Sequence, residues 1–153
     1  MNKEQAYAQD VRDHQARVSD LMDQVINELC IRQTAHDESK FSPQEFPIYQ
    51  AIVPDLKKLE FGSAEYREKV KELGPALQHH YRNNRHHPEH FEDKIRGMNL
   101  IDLVEMICDC IAASEFKGDD PKDGFTGYLF QKHGITEPLA SIILNTIDRL
   151  DRK

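Results

Sequence analysis

The chain has 153 residues, a formal net charge of −7, 39% hydrophobic and 31% charged residues, which suits one domain with a continuous core. An acidic balance excludes duplex nucleic acid as a partner, because phosphate backbones are held by clustered Lys and Arg, and no apolar run approaches the length of a membrane span. Cys30, Cys108 and Cys110 follow no disulfide spacing and nothing at the N-terminus resembles a signal segment, so a reducing cytoplasm is expected.

Val11, His14, Val18, Leu21, Val25 and Leu29 recur at steps of three and four, the spacing of one face of an amphipathic helix, which predicts that His14 points inward. Ser42-Pro43-Gln44-Glu45 reads as the next helix start, with an N-cap hydroxyl, a proline at the first helical position and a glutamate three residues beyond the cap. Pro47 and Pro54 limit or kink that second helix. Ser63 offers another N-cap, and Tyr66, Val70, Leu73, Leu77 and His80 form a stripe that Gly74 and Pro75 are expected to bend without ending. "MNLIDLVEMICDCIAAS" predicts a helix with Ile101, Val104, Cys108 and Ile111 in the core and Asp102, Glu105 and Asp109 on an adjacent acidic line. The segment 117–134 reads as a loop or lid. A last helix over 136–152 has Leu139, Ile143, Ile147 and Leu150 as its buried edge. No strand alternation occurs, so the expected fold is all-α, in a single domain over 1–153.

"HHYRNNRHH", residues 79–87, holds four of the eight histidines. With His14, His36-Asp37 and Asp109 it assembles a constellation on four predicted helices. Asp109 is hemmed by Met106, Ile107, Cys108, Cys110 and Ile111, where an unpaired carboxylate would be costly. Imidazole and carboxylate suit first-row transition metals, and an aspartate can bridge two ions where a histidine binds one. Two such ions can lower the pKa of a shared water and clamp both oxygens of a phosphoryl transfer. The Cys-Asp-Cys triplet lacks the second pair a zinc site of that type needs. Helical phase favours His80, with His87 seven residues on. His79 and His86 are spaced equally and remain second-choice ligands or phosphate contacts. Arg82 and Arg85 carry donors for an anionic substrate. Asp102 and Glu105 are either a solvated face or partners that orient imidazole N–H groups.

The order His14, His36-Asp37, paired histidines, Asp109 resembles the signature of the HD superfamily of metal-dependent phosphohydrolases. "HDESKFSPQEF", "HHYRNNRHHPEHF" and "MNLIDLVEMICDCIAAS", within about residues 10–115, resemble a bacterial and phage-encoded HD-like family. The resemblance implies an HD-domain-like helical bundle with one or two divalent transition metals, Mn, Fe, Co, Ni or Zn. It implies a first ion held by His14, His36, Asp37 and Asp109, and a second, also reached by Asp37, completed from the histidine cluster, where helical phase favours His80 and His87. Asp37 and Lys40 would be catalytic, and Lys40, Arg82 and Arg85 would bind substrate, Lys40 beside the phosphate. The implied activity is hydrolysis of a nucleotide or related small phosphate ester by metal-activated water, as a phosphomonoesterase, phosphodiesterase or nucleotidase. It would act in the cytoplasm, that of the host if phage-encoded, with no membrane partner; a homo-oligomer is compatible. Two other classes fit the same residues: a di-iron oxygenase-like enzyme, and a non-catalytic module that senses a nucleotide or blocks a partner.

Overall fold

A computed structural model describes residues 2–150, and every regular element among the described residues is helical. The chain divides into a unit of residues 1–35 and a unit of residues 36–153.

The first unit is one helix, α1, Lys3–Ala35. None of its residues is buried; Val11, Val18, Leu21 and Val25 are 36–49% exposed, and His14 is exposed. The expected inward face is therefore uncovered within this unit. A single helix has nothing within its own unit to cover an apolar stripe.

The second unit begins with a 3₁₀ turn, Glu38–Phe41, followed by α2 (Phe46–Leu56), α3 (Ala64–Lys71) and α4 (Gly74–Asn83). Two further 3₁₀ turns, Pro88–His90 and Lys94–Gly97, lead into α5 (Leu100–Lys117). A helical run of α6 (Pro121–Gly124), a π turn (Phe125–Leu129) and α7 (Phe130–His133) follows, and α8 (Leu139–Leu150) ends it.

Three boundaries differ from the sequence expectation, each for a local reason. Ser42 does not cap α2: its carbonyl accepts from the Glu45 and Phe46 N–H groups at 3.1 and 2.9 Å, closing a turn that delays the helix to Phe46. Pro47 then takes an early position where a missing N–H costs nothing. The Gly74-Pro75 pair ends one helix and starts another, because Gly74 adopts a φ of +46° and Pro75 cannot donate into a preceding turn. The segment expected as a loop or lid is helical, with Phe125 0% exposed.

The core joins Met106 and Ile107 of α5 to Phe125, Leu129, Ile135, Ala140, Ile143 and Ile147. Burying each large aliphatic contributes about 1.5–3 kcal/mol. On α8 Ile143 and Ile147 are each 1% exposed while Leu150, expected at the buried edge, is 54% exposed. α5 also departs from its expected phase: Met106 and Ile107 are buried and Cys108 is exposed. The reason is that α5 serves two neighbours. Leu103, Met106, Ile107, Cys110 and Ile111 face the core, while on the acidic line, spaced by three and four, Glu105 and Asp109 meet His36 and His86 and Asp102 meets Arg85. Asn99 starts this helix by accepting from the Ile101 and Asp102 N–H groups, and Asp102 accepts from the Asn99 N–H at 3.0 Å, a reciprocal cap.

Candidate metal centre

His36 and Asp37 come first. Asp37 lies in the left-handed region, φ +59°, a conformation that aspartate tolerates better than most residues. Around its carboxylate the structure gathers imidazoles from two other segments. His36 Nε2 lies 3.5 Å from Asp37 Oδ2 and 3.5 Å from Asp109 Oδ1 on α5. His80 Nε2, on α4, lies 3.4 Å from Asp37 Oδ1, and His86 Nε2, beyond the end of α4, lies 3.6 Å from the same oxygen. His87 Nε2 is 2.9 Å from His80 Nε2.

Three groups among the described residues place ligand atoms within 4.8 Å of one another: Asp37, His80, His86 and His87; His36, Asp37 and Asp109; and His36, His86 and Glu105. The donor chemistry and the spacing both fit a cation. Ligands at about 2.0–2.2 Å from one tetrahedral ion stand about 3.3–3.6 Å apart, the separation of most of these pairs. Two atoms at the centre, Asp37 Oδ1 and His86 Nε2, are buried without a hydrogen-bond partner. A partnerless buried carboxylate oxygen is costly, and a cation between the two satisfies both.

Two glutamates decide which nitrogen each ring presents. Glu105 Oε1 lies 3.0 Å from Nδ1 of His36 and 3.0 Å from Nδ1 of His86. A carboxylate only accepts, so both rings donate from Nδ1 and keep Nε2 for the centre. Glu45, 0% exposed, accepts from Nδ1 of His80 at 2.9 Å and from Nδ1 of His79 at 2.7 Å. Asn84 donates to the Ser39 hydroxyl at 2.7 Å, pinning the 3₁₀ turn to the end of α4. The Ser, Glu and Asn of these segments thus hold the histidines in place.

The rings are held in different charge states. Burial pushes His80 and His87 below the ordinary imidazole range, so both are neutral and able to donate a lone pair. His36 goes the other way, raised to about 10 by its hydrogen bonds to Asp109 and then Glu105. Burial pushes the Asp109 carboxyl up, but His36, His86 and Lys40 outweigh it and hold it below its usual value. Lys40 Nζ sits 2.5 Å from Asp37 Oδ2, an ammonium on the oxygen that faces His36.

Of the residues expected from sequence, His36, Asp37, Lys40, His80, His86, His87 and Asp109 meet here. His14 is in none of the three groups and lies 21 residues before Ala35 along α1, about 32 Å at the helical rise. His79 turns to Glu45. Arg82 donates to the Gln78 carbonyl within its own helix. Arg85 is clamped to Asp102 by two 3.0 Å bonds and stacks 4.8 Å over Phe91, so its guanidinium fastens the histidine loop to α5. Glu45, expected only as a capping residue, and the Ser39–Asn84 pair are not singled out by sequence as part of a site.

Together these features define a helical protein with a His/Asp cluster that can hold a metal ion. The chain belongs to the family of unknown function DUF5662, whose model matches residues 3–149. No curated protein and no solved structure matches it.

Proposed function

We propose that this protein is a divalent-metal-dependent phosphohydrolase acting on a nucleotide or related small phosphate ester, of the HD kind that its motifs resemble. The observation that carries this reading is the placement of Asp37, whose Oδ2 faces His36 and whose Oδ1 faces His80 and His86. A carboxylate shared in this way suits a pair of ions, and bound ions would supply Lewis acidity to a phosphoryl oxygen and acidify a water.

The chain's own residues do the rest. Asp37 would be the shared ligand, with His36 and Asp109 holding an ion on one side and His80, His86 and His87 on the other. Glu105 and Glu45 hold the rings so that Nε2 faces inward. Lys40, its side chain 40% exposed, puts a positive charge at the rim where a phosphate would arrive, a donor of the kind that stabilises charge developing on phosphoryl oxygens. Arg85 is left out of substrate binding because Asp102 holds it.

The test is metal analysis of the purified protein followed by a phosphate-release screen with Mn or Co over nucleoside mono-, di- and triphosphates and cyclic nucleotides. Metal-dependent release from at least one class is expected, and Lys40→Ala should lower it roughly tenfold to a thousandfold. Bound metal with no release from any of them would refute the hydrolase reading; iron-dependent oxygen consumption in its place would point to the oxygenase class.

A further inference from the structure

The two halves of the cluster differ in what their carboxylate oxygen already touches. Asp37 Oδ1, on the side of His80, His86 and His87, is buried without a hydrogen-bond partner, and so is His86 Nε2. His86 is 1% exposed and His80 2%. His80 and His86 are oriented by Glu45 and Glu105, and among the contacts between the ring nitrogens of this half an ion has only that of His80 with His87 to displace. Asp37 Oδ2, on the side of His36 and Asp109, is taken by the Lys40 ammonium at 2.5 Å. Its other members are more open: the side chains of His36 and Asp109 are 30% and 32% exposed.

We infer that the two halves fill in order, the histidine-rich half first and tightly, the His36–Asp109 half second and more weakly, with Lys40 as a competitor built into the chain for the second ion. This rests on the reading of the cluster as a two-ion site. An ion arriving at Oδ2 must move an ammonium that already neutralises that oxygen, whereas an ion arriving at Oδ1 removes an unmet need of two buried atoms. The same displacement turns Lys40 loose at the rim only when both ions are present. The lysine that would meet the substrate phosphate is therefore engaged elsewhere until the second ion has bound.

The experiment strips the full chain of metal with a chelator and titrates it with Co²⁺, following heat and visible absorption. Two ions per chain are expected, the first at least about tenfold tighter than the second, since a four-donor set with two buried imidazoles and an unmet oxygen outcompetes a more exposed, already paired one. Lys40→Met should tighten the second ion about threefold to tenfold and the first by no more than about twofold, the scale of one partly exposed ion pair. Lys40→Gln should do the same, and Lys40→Arg, which keeps the charge, should stay near the unmodified protein. Equal affinities for the two ions, no tightening of the second ion in either neutral variant, or equal tightening of both overturns the inference. A single ion per chain overturns it while leaving a mononuclear centre standing. No Co²⁺ uptake at all removes the metal reading together with it.

Discussion

Arg85 grips Asp102 with both ends of its guanidinium, Nε to Oδ1 and Nη2 to Oδ2, each at 3.0 Å. Asp102 is 0% exposed, so removing the arginine takes a cation and two hydrogen bonds from a buried carboxylate. Arg85→Met should destabilise the fold by about 2–4 kcal/mol, somewhat under the full cost of breaking a buried pair because Arg85 is partly exposed. His86, the next residue, should lose metal affinity with it. A urea midpoint corresponding to less than about 1 kcal/mol of loss would show that the clamp is dispensable.

Glu105 and Glu45 should be separable by metal titration. Glu105 holds one ring from each half of the cluster, so Glu105→Ala should weaken both ions by about tenfold to a hundredfold. Glu45 holds only His80 among the centre's rings, so Glu45→Ala should weaken mainly the ion on the His80 side. Identical profiles for the two variants would contradict the division drawn from the hydrogen bonds.

Metal removal should be visible as lost stability. An ion bound only by the folded state at a hundred times its Kd adds about 2.7 kcal/mol, or about 5–11 °C in Tm for a chain of this size. Chelation should take that increment away, and Asp37→Asn should take away most of it without chelator. A melting curve indifferent to chelator and to added Co²⁺ would leave the cluster without a cation.

Acidity should act on the centre through His36. Its folded pKa is raised to about 10 from an ordinary 6.5, so in the metal-free protein its ion pairs stabilise fully below about 6.5 and that contribution fades as pH rises through about 10. A metal takes Nε2 only from the neutral ring, so binding there at pH 8 should release a proton and weaken as pH falls. Calorimetry in two buffers of different ionisation enthalpy reads that proton directly. Its absence, or a His36→Gln variant that releases just as much, would locate the proton elsewhere.

The residue types that meet at the centre were legible in the sequence because His, Asp and apolar neighbours are informative without geometry. His36, Asp37, His80 and Asp109 can be named on that basis. The choice between His86 and His87 cannot, because α4 ends at Asn83 and helical phase carries no information past that residue; the structure brings both near Asp37. Glu45 reads as a capping residue, since Ser-Pro-Gln-Glu is how a helix start is written, and only the tertiary turn at Ser42 releases its side chain to the histidines. The two faces of α5 were half legible: three carboxylates in a line are visible, but whether the line meets solvent or a partner depends on the loop that Arg85 fastens. The apolar period of α1 is plain, yet period alone does not say what covers a face.

The backbone of Asp37 also decides how its carboxylate should be deleted. At a φ of +59° a Cβ crowds the chain, so alanine there would combine two losses, the ligand and the ease with which aspartate accepts this bend. Glycine, which in an ordinary helix or strand is the harsher replacement, is here the gentler one: it visits this conformation freely. Comparing Asp37→Gly with Asp37→Ala in metal-free protein therefore weighs the turn by itself, apart from anything the centre binds. The excess destabilisation of alanine over glycine would be what the fold spends to make two consecutive side chains look at the same point.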